Sequence, residues 1–193
     1  PPRVTTREMR NTLKTGAGYT HYIPGLRGPL DFGGNGSSSS DLPMHPWVLG
    51  LVLGDGATKQ PGTIASSRED IQDTINLLAG FGYPAEERRD FKIAAQNLKR
   101  VWGVGPKRIP EEYFWASAED RLLLVQGLFD SDGSVDPSGA YRFYNTNKDI
   151  IEGLVRLLRS LGLVPTVYTR KPRQRKGVYG KESWYVQVRS STL

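Results

Sequence analysis

Two nine-residue segments constrain the fold of this chain more than any other feature. Val48-Leu49-Gly50-Leu51-Val52-Leu53-Gly54-Asp55-Gly56 aligns without a gap on Val125-Gln126-Gly127-Leu128-Phe129-Asp130-Ser131-Asp132-Gly133. Val, Gly, Leu, Asp and the final Gly are shared. Each segment reads as an apolar helix stopped by Asp-Gly. Gly50 and Gly54 lie four apart on one helical face, as do Gly127 and Ser131. Small residues at that spacing let two helix backbones approach and pack by van der Waals contact. Asp55 and Asp132 then fall in the last turns, where the helix dipole opposes an anion and the second carboxylate adds repulsion. A divalent cation bridging both acids would offset that. One Asp-Gly pair after an apolar helix is commonly only a stop signal. Two in equivalent positions, on helices with small faces, indicate a site. Gly56 and Gly133 are expected to adopt the left-handed conformation that ends a helix.

The same order of elements follows each segment. After the first helix (46–55), a strand is expected around 62–67. A helix follows, with Ile71, Ile75, Leu78 and Ala79 at helical spacing and Gly80 and Gly82 as its stop. A strand at 91–94 and a short helical turn near 96–101 complete the first round. The second round has a helix at 119–132, a strand at 140–146 and a helix at 148–161. Strands at 166–171 and 184–189 then flank a basic hairpin loop. This predicts an α+β fold of two pseudo-symmetric αββαββ-type halves, 41–118 and 119–193. Residues 1–40 are expected to be an N-terminal extension. It opens with a helix near 6–13, capped by Thr5 or Thr6, and ends in a Gly/Ser-rich flexible linker, so that the compact part starts near Asp41.

Composition narrows the chemistry. The chain lacks cysteine, which excludes disulfides, thiol nucleophiles and thiolate metal sites. His21 and His45 are the only histidines, so a histidine-rich zinc site is excluded too. A metal here needs oxygen ligands, which favours magnesium or calcium. No apolar run is long enough to span a membrane, and no segment has signal-peptide order, so a cytoplasmic protein is expected. Charge is uneven. Residues 137–193 hold 11 Lys/Arg against 3 Asp/Glu, a net +8, and residues 1–136 hold 15 against 17, a net −2. A basic end on a near-neutral body suits a polyanion-binding surface or a solubilising face.

At the paired motif the sequence resembles the LAGLIDADG (dodecapeptide) homing endonucleases, in particular the endonuclease domains embedded in inteins. The resemblance covers about residues 41–193. It includes Leu42-Pro43-Met44-His45-Pro46 before the first motif, Lys107-Arg108-Ile109-Pro110 before the second, and Asn147-Lys148-Asp149 after it. The resemblance implies paired motif helices at the interface and two antiparallel sheets forming a DNA-binding saddle. It also implies Mg2+ held by Asp55 and Asp132, and hydrolysis of both strands of a long specific DNA site by a monomer with internal pseudo-two-fold symmetry. Lys107 matches the family's basic catalytic residue for one half. For the other half Lys181 is a poor candidate. The sixth motif position differs, Leu53 against Asp130, and Asp130 reads as a helix-end or packing residue. An intact intein starts with Cys or Ser and ends in His-Asn. This chain runs from Pro1-Pro2 to Thr192-Leu193, so an isolated intein domain or a free-standing relative is expected.

Strand alternation nominates the DNA contacts. Tyr141 and Phe143 should face the helices, leaving Arg142, Tyr144 and Thr146 outward. Trp184, Val186 and Val188 should pack inward, leaving Tyr185, Gln187 and Arg189 outward. Lys92 should point out between inward Phe91 and Ile93, and Arg170 lies in the strand at 166–171. Arg and Gln can read base edges, whereas the loop carrying Lys171, Arg173, Arg175, Lys176 and Lys181 suits phosphate contact. A catalytically inactive DNA- or RNA-binding protein of the same fold is the alternative. Retention of Asp55, Asp132 and Lys107 argues against it.

Overall fold

The computed structural model describes residues 4–16, 18–19, 25–26, 28–32, 41–172, 174–175 and 178–189. Helix α1 (Thr6–Asn11) starts where Thr5 and Glu8 form a reciprocal capping box, and none of its residues is buried. Strands β1 (Lys14–Thr15) and β2 (Gly18–Tyr19) form a small hairpin after it. The Gly/Ser-rich stretch at 33–40 lies outside the described residues.

Helix α2 (Pro46–Asp55) begins with Pro46, whose fixed φ suits a first turn, and is buried on every side from Pro46 to Leu53. Strand β3 (Thr63–Ala65), helix α3 (Ile71–Gly80), β4 (Ala85–Arg88) and β5 (Lys92–Ala95) follow. After a 3-10 turn at Glu111–Phe114, helix α4 (Ala118–Asp132) is capped by Ser117, whose hydroxyl accepts from the Asp120 amide. Glu119 and Asp120 in the first turn of α4 favour its positive dipole end. Next come β6 (Gly133–Val135), β7 (Ala140–Asn145), helix α5 (Lys148–Ser160), β8 (Thr166–Arg170), β9 (Gln174–Arg175), β10 (Val178–Tyr179) and β11 (Ser183–Arg189).

The large strands build two antiparallel sheets, ordered β3-β5-β4 in the first half and β6-β7-β11-β8 in the second. Between them α2 and α4 pack against each other more extensively than any other pair of elements. Leu49, Leu53, Leu124 and Leu128 are buried at about 1% exposure or less along this pair. Each such leucine contributes roughly 1.5–3 kcal/mol on burial. Helix α3 covers β4 and β5, and α5 covers β7 and β11, so each half is a sheet backed by its own helix.

Several expectations need correction. The second half is αββαββ with the small β9–β10 hairpin inserted, but the first half is αβαββ. Its counterpart of β6 is reduced to a single bridge between Gly56 and Ile64. The helical turn near 96–101 is absent, because Asn97 takes φ +62° and breaks any helical run. Phe91 lies in a turn at φ +54°, half exposed, so it does not flank Lys92 as an inward strand residue. Gly56 (φ −67°, ψ 140°) and Gly133 (φ −88°, ψ 161°) are extended, not left-handed. Glycine is required there by space. A Cβ would meet the Val52 carbonyl at 2.5 Å or the Phe129 carbonyl at 2.2 Å as each helix passes directly into sheet pairing. The left-handed stops occur instead at Gly82 (φ +86°) and Gly162 (φ +85°), after α3 and α5.

The compact body also begins before Asp41. The Leu30 amide donates to the Ser160 carbonyl at 2.7 Å, and Phe32 packs edge-on against Trp115. Arg121, 1% exposed, holds this segment. Its guanidinium donates to the carbonyls of Leu30, Ala116 and Ser160 and lies 4.6 Å over the Phe32 ring.

Candidate active site

The two motif helices touch backbone to backbone. A Cβ on Gly127 would stand 2.0 Å from the Trp47 carbonyl, and one on Gly50 would stand 2.4 Å from the Leu124 carbonyl. At the acidic end a Cβ on Gly54 would overlap the Ser131 hydroxyl at 1.9 Å. Ser131 turns that hydroxyl back to the Leu128 carbonyl at 2.7 Å, so its polarity is satisfied within its own helix. Gly50, Gly54, Gly127 and Ser131 thus line one seam.

That seam brings the two carboxylates into each other's field. Asp55 is pushed up to about 6, first by burial, then by the charge of Asp132, with Lys107 pulling the other way. Asp132 is also raised by burial, against the hydrogen bond from Asn145 and the charge of Lys107. Both acids therefore resist ionisation in this site. Lys107 is lowered by its own desolvation and raised by Asp132 and Asp55. Its ammonium donates to the carbonyls of Leu53 (3.0 Å), Gly54 (3.2 Å) and Gly56 (2.5 Å). Those are open carbonyls at the C-terminus of α2, the negative dipole end, where a cation is favoured.

Asp132 and Lys107 line a common cleft of about 570 Å³ with Tyr144, Asn145 and Asn147. Asp55 lines a separate pocket with Ser66, Asp70, Asp130 and Ser131. Among the described residues no three His, Cys, Asp or Glu side chains gather into a metal cluster. A cation here would take at most two protein carboxylates, with its other positions left to water and phosphate oxygens. That donor set suits magnesium, which keeps several waters and commonly takes only one or two carboxylates.

Of two further residues in the cleft, Asn145 was not singled out from sequence and Asn147 only as the opening of the helix after the second motif. The Asn145 amide donates to the Asp132 carboxylate at 3.1 Å. Asn147 donates from its side chain to the Lys107 carbonyl at 2.6 Å, and its own backbone amide donates to the Asn145 side chain at 2.8 Å. The spacing Asn145-Thr146-Asn147 at a strand end was the available signal. Asp130, the motif's odd position, accepts from the Trp47 indole N–H at 2.8 Å and ties α4 to α2.

The expected DNA contacts are placed unequally. Arg142, Tyr144, Tyr185, Gln187 and Arg189 share one face of the second sheet, by the register Gln187↔Arg142 and Tyr185↔Tyr144. Tyr185 stacks on Tyr168 with ring centroids 4.7 Å apart, and the Arg170 guanidinium lies 5.6 Å over Tyr144. Gln187 is only 9% exposed and accepts from Arg142 Nε at 3.0 Å, so it is not a free reader of bases. The reason is register: Arg142 sits directly opposite and folds over it. Arg142 also pairs with Asp136 at 2.5 Å. On the opposite face Phe143 and Val186 are buried, while Tyr141 is 41% exposed and packs edge-on against Phe129. Lys92, Lys171 and Lys181 are exposed. Arg173 and Lys176 lie outside the described residues, as does the side chain of Arg175.

Two sheets backed by helices, with paired small-faced helices ending in two acids at their junction, define a LAGLIDADG fold. The LAGLIDADG-like domain family matches residues 119–192. The chain is therefore similar to the LAGLIDADG proteins in sequence over its second half and in fold over most of its length. It is 29% identical over 176 residues to the replicative DNA helicase DnaB of Mycobacterium intracellulare, covering 89% of this chain and 28% of the helicase. It is 29% identical over 169 residues to the homothallic switching endonuclease of Saccharomyces cerevisiae, covering 66% of this chain and 29% of that protein. The chain therefore spans less than a third of the length of these relatives. A variant of the homing endonuclease I-DmoI, in complex with its target DNA in the presence of 2 mM Mg, superposes with TM-score 0.52 at 17% identity. That match covers 76% of this chain and 88% of the variant, and it concerns the fold. No helix among the described residues is long and apolar enough to cross a membrane.

Proposed function

We propose that this chain is a site-specific homing endonuclease that makes a double-strand break in DNA by metal-dependent phosphodiester hydrolysis. The observation that carries the reading is the electrostatics of the helix seam. Two half-buried carboxylates with raised pKa lie in the field of one lysine already engaged with backbone carbonyls, and Asp132 raises Asp55. A fold has no stabilising use for such a pair, which favours a site that completes itself with a cation.

Magnesium held by Asp55 and Asp132 would supply an activated water and stabilise the leaving oxygen. The chain's own groups do the rest. Asn145 fixes the rotamer of Asp132, and burial by the helix seam keeps bulk water from screening both acids. The ammonium of Lys107 offsets part of their charge, so that phosphate can approach. Outside the seam, Arg142, Arg170 and Arg189 with Tyr144 and Tyr185 offer cations and aromatic faces to the duplex. Lys92 does the same for the first half. Lys171, Arg173, Arg175 and Lys176 add phosphate contacts, and Gln187 acts through Arg142. One monomer, with halves 41–118 and 119–193, covers both strands of a long site; the I-DmoI variant of like fold is in complex with its target DNA in the presence of 2 mM Mg.

The chain reads further as a domain of an intein. It matches 28% of a helicase and, over 73 residues, 4% of a DNA polymerase of Thermococcus hydrothermalis. It carries no GxxxxGK[ST] phosphate loop of its own. A module shared between unrelated hosts fits an insertion better than a piece of either enzyme. The test is incubation with a plasmid carrying the uninterrupted host coding sequence, with and without magnesium. Linear product in magnesium alone is expected. Binding without cleavage in magnesium or manganese would leave a DNA-binding protein of the same fold.

A further inference from the structure

We infer that Asn147 is a positioning residue that sets Lys107 and Asp132 against each other across the two halves. This deepens the nuclease reading and rests on it. Asn147 caps α5, its side-chain oxygen accepting from the Asp149 amide at 3.0 Å. A serine or aspartate would serve that purpose equally well. What the longer amide adds is a separate donor that reaches the other side while its oxygen caps the helix, the 2.6 Å bond to the Lys107 carbonyl. That bond reaches 40 residues back, out of the second half and into the connection that carries Lys107.

The consequence runs both ways through the cleft. Lys107 is fixed at its backbone by Asn147 and at its ammonium by three carbonyls of α2 and its cap, the helix that ends in Asp55. From the backbone amide of Asn147 a second path runs to the Asn145 side chain, and from there to the Asp132 carboxylate. One residue thus registers the lysine of one half against the acid of the other, and it does so from the N-terminus of α5, a rigid element. Networks of this kind couple, so their members are not additive when removed.

The test separates capping from positioning. Asn147→Ser keeps an N-cap acceptor but loses the Nδ2 that reaches the Lys107 carbonyl; Asn147→Ala loses both. For Asn147→Ser we expect affinity for uncut target, measured in calcium, within about two-fold of the parent. Single-turnover cleavage in magnesium should fall by about 10–100-fold, the loss typical of disturbed outer-shell partners of a metal site. In a Lys107→Ala background the same substitution should have no further effect on rate, since the group it positions is gone. Asn147→Ser that cuts like the parent, with only Asn147→Ala losing melting temperature, would show a plain helix cap and overturn the inference. Rate losses that multiply independently of Lys107 would overturn it too. A parent that binds but never cuts overturns the nuclease reading instead. The positional claim is then decided by the same cycle on melting temperature, where coupling supports it and additivity overturns it.

Discussion

The Trp47 indole and the Asp130 carboxylate meet at 2.8 Å across the helix seam, at the one motif position where the two copies differ most in polarity. Leu53 in the first copy is fully buried, whereas Asp130 in the second receives the N–H that a buried tryptophan must place somewhere. Asp130→Ala would leave that N–H without a partner, at a cost of about 1–3 kcal/mol. The melting temperature should fall while cleavage at permissive temperature persists. Loss of cleavage with no change in melting temperature would move Asp130 into the reacting centre.

The seam tolerates no side chain at Gly50 or Gly127. Gly127→Ala places a methyl group 2.0 Å from the Trp47 carbonyl, backbone that cannot give way without separating the helices. The expected cost is at or above the top of the roughly 1–3 kcal/mol range for overpacking, read as a fall in urea midpoint. Gly80 is the control. It is exposed at the end of α3, has no left-handed φ, and a Cβ there meets nothing within 4 Å. Gly80→Ala should raise stability by about 0.5–1 kcal/mol. Equal effects at the two positions would contradict the close approach.

The carboxylates set a pH dependence of definite sign. Asp55 titrates near 6 when folded, well above an ordinary aspartate, and Asp132 is shifted the same way. From the ordinary aspartate value up to the folded one, the folded chain holds more protons than the unfolded chain. Asp55 therefore makes stability fall as pH rises from about 4 to 6, and Asp132 acts in the same direction. In chelator, Asp55→Asn should flatten that slope in melting temperature, and magnesium should diminish it in the parent. A steeper slope in the variant would reverse the assignment. Cleavage, which needs the ionised acids, should rise through the same window.

Phosphate binding has its own signature. Replacing Lys171, Arg173, Arg175 and Lys176 together by Ala should weaken binding to all sequences alike. The slope of log K against log salt should fall by roughly 0.9 for each phosphate no longer neutralised. Altered site preference at an unchanged slope would instead make the loop a base reader.

Much of this was legible in the sequence because periodicity carries it. Repeated small residues on apolar helices announced the seam, and alternation in residues 140–146 and 184–189 announced the second sheet. What escaped lacks a local signal. Strand β4 reads Ala85-Glu86-Glu87-Arg88, polar throughout apart from its first residue, and exists because β5 pairs with it. Gly56 and Gly133 signalled a helix stop correctly, but only packing reveals that the constraint is a carbonyl and not φ. Arg121 is charged in sequence yet fully buried, since tertiary structure brings backbone and hydroxyl oxygens together around its guanidinium. The path from Asn147 to Lys107 spans 40 residues and is invisible to any window.

The acids themselves give the sharpest separation of function from stability. Asp132→Asn preserves shape and can still accept from the Asn145 amide through its remaining oxygen. It removes an anion from the C-terminus of α4, where the dipole opposes it, and relieves Asp55 of a neighbouring charge. Stability should therefore hold or rise slightly, and DNA binding should survive, since a carboxylate repels phosphate. Catalysis should fall by orders of magnitude, because the metal loses one of its two protein ligands. Asp55→Asn should behave alike. Lys107→Ala should differ in sign, with a smaller loss of rate but a lower melting temperature, as three carbonyls at the end of α2 lose their donor. Plasmid cleavage, gel shift and thermal melt on each variant decide the matter. An Asp132→Asn protein that cuts like its parent, or that unfolds, would make the carboxylate structural and leave the seam without an active centre.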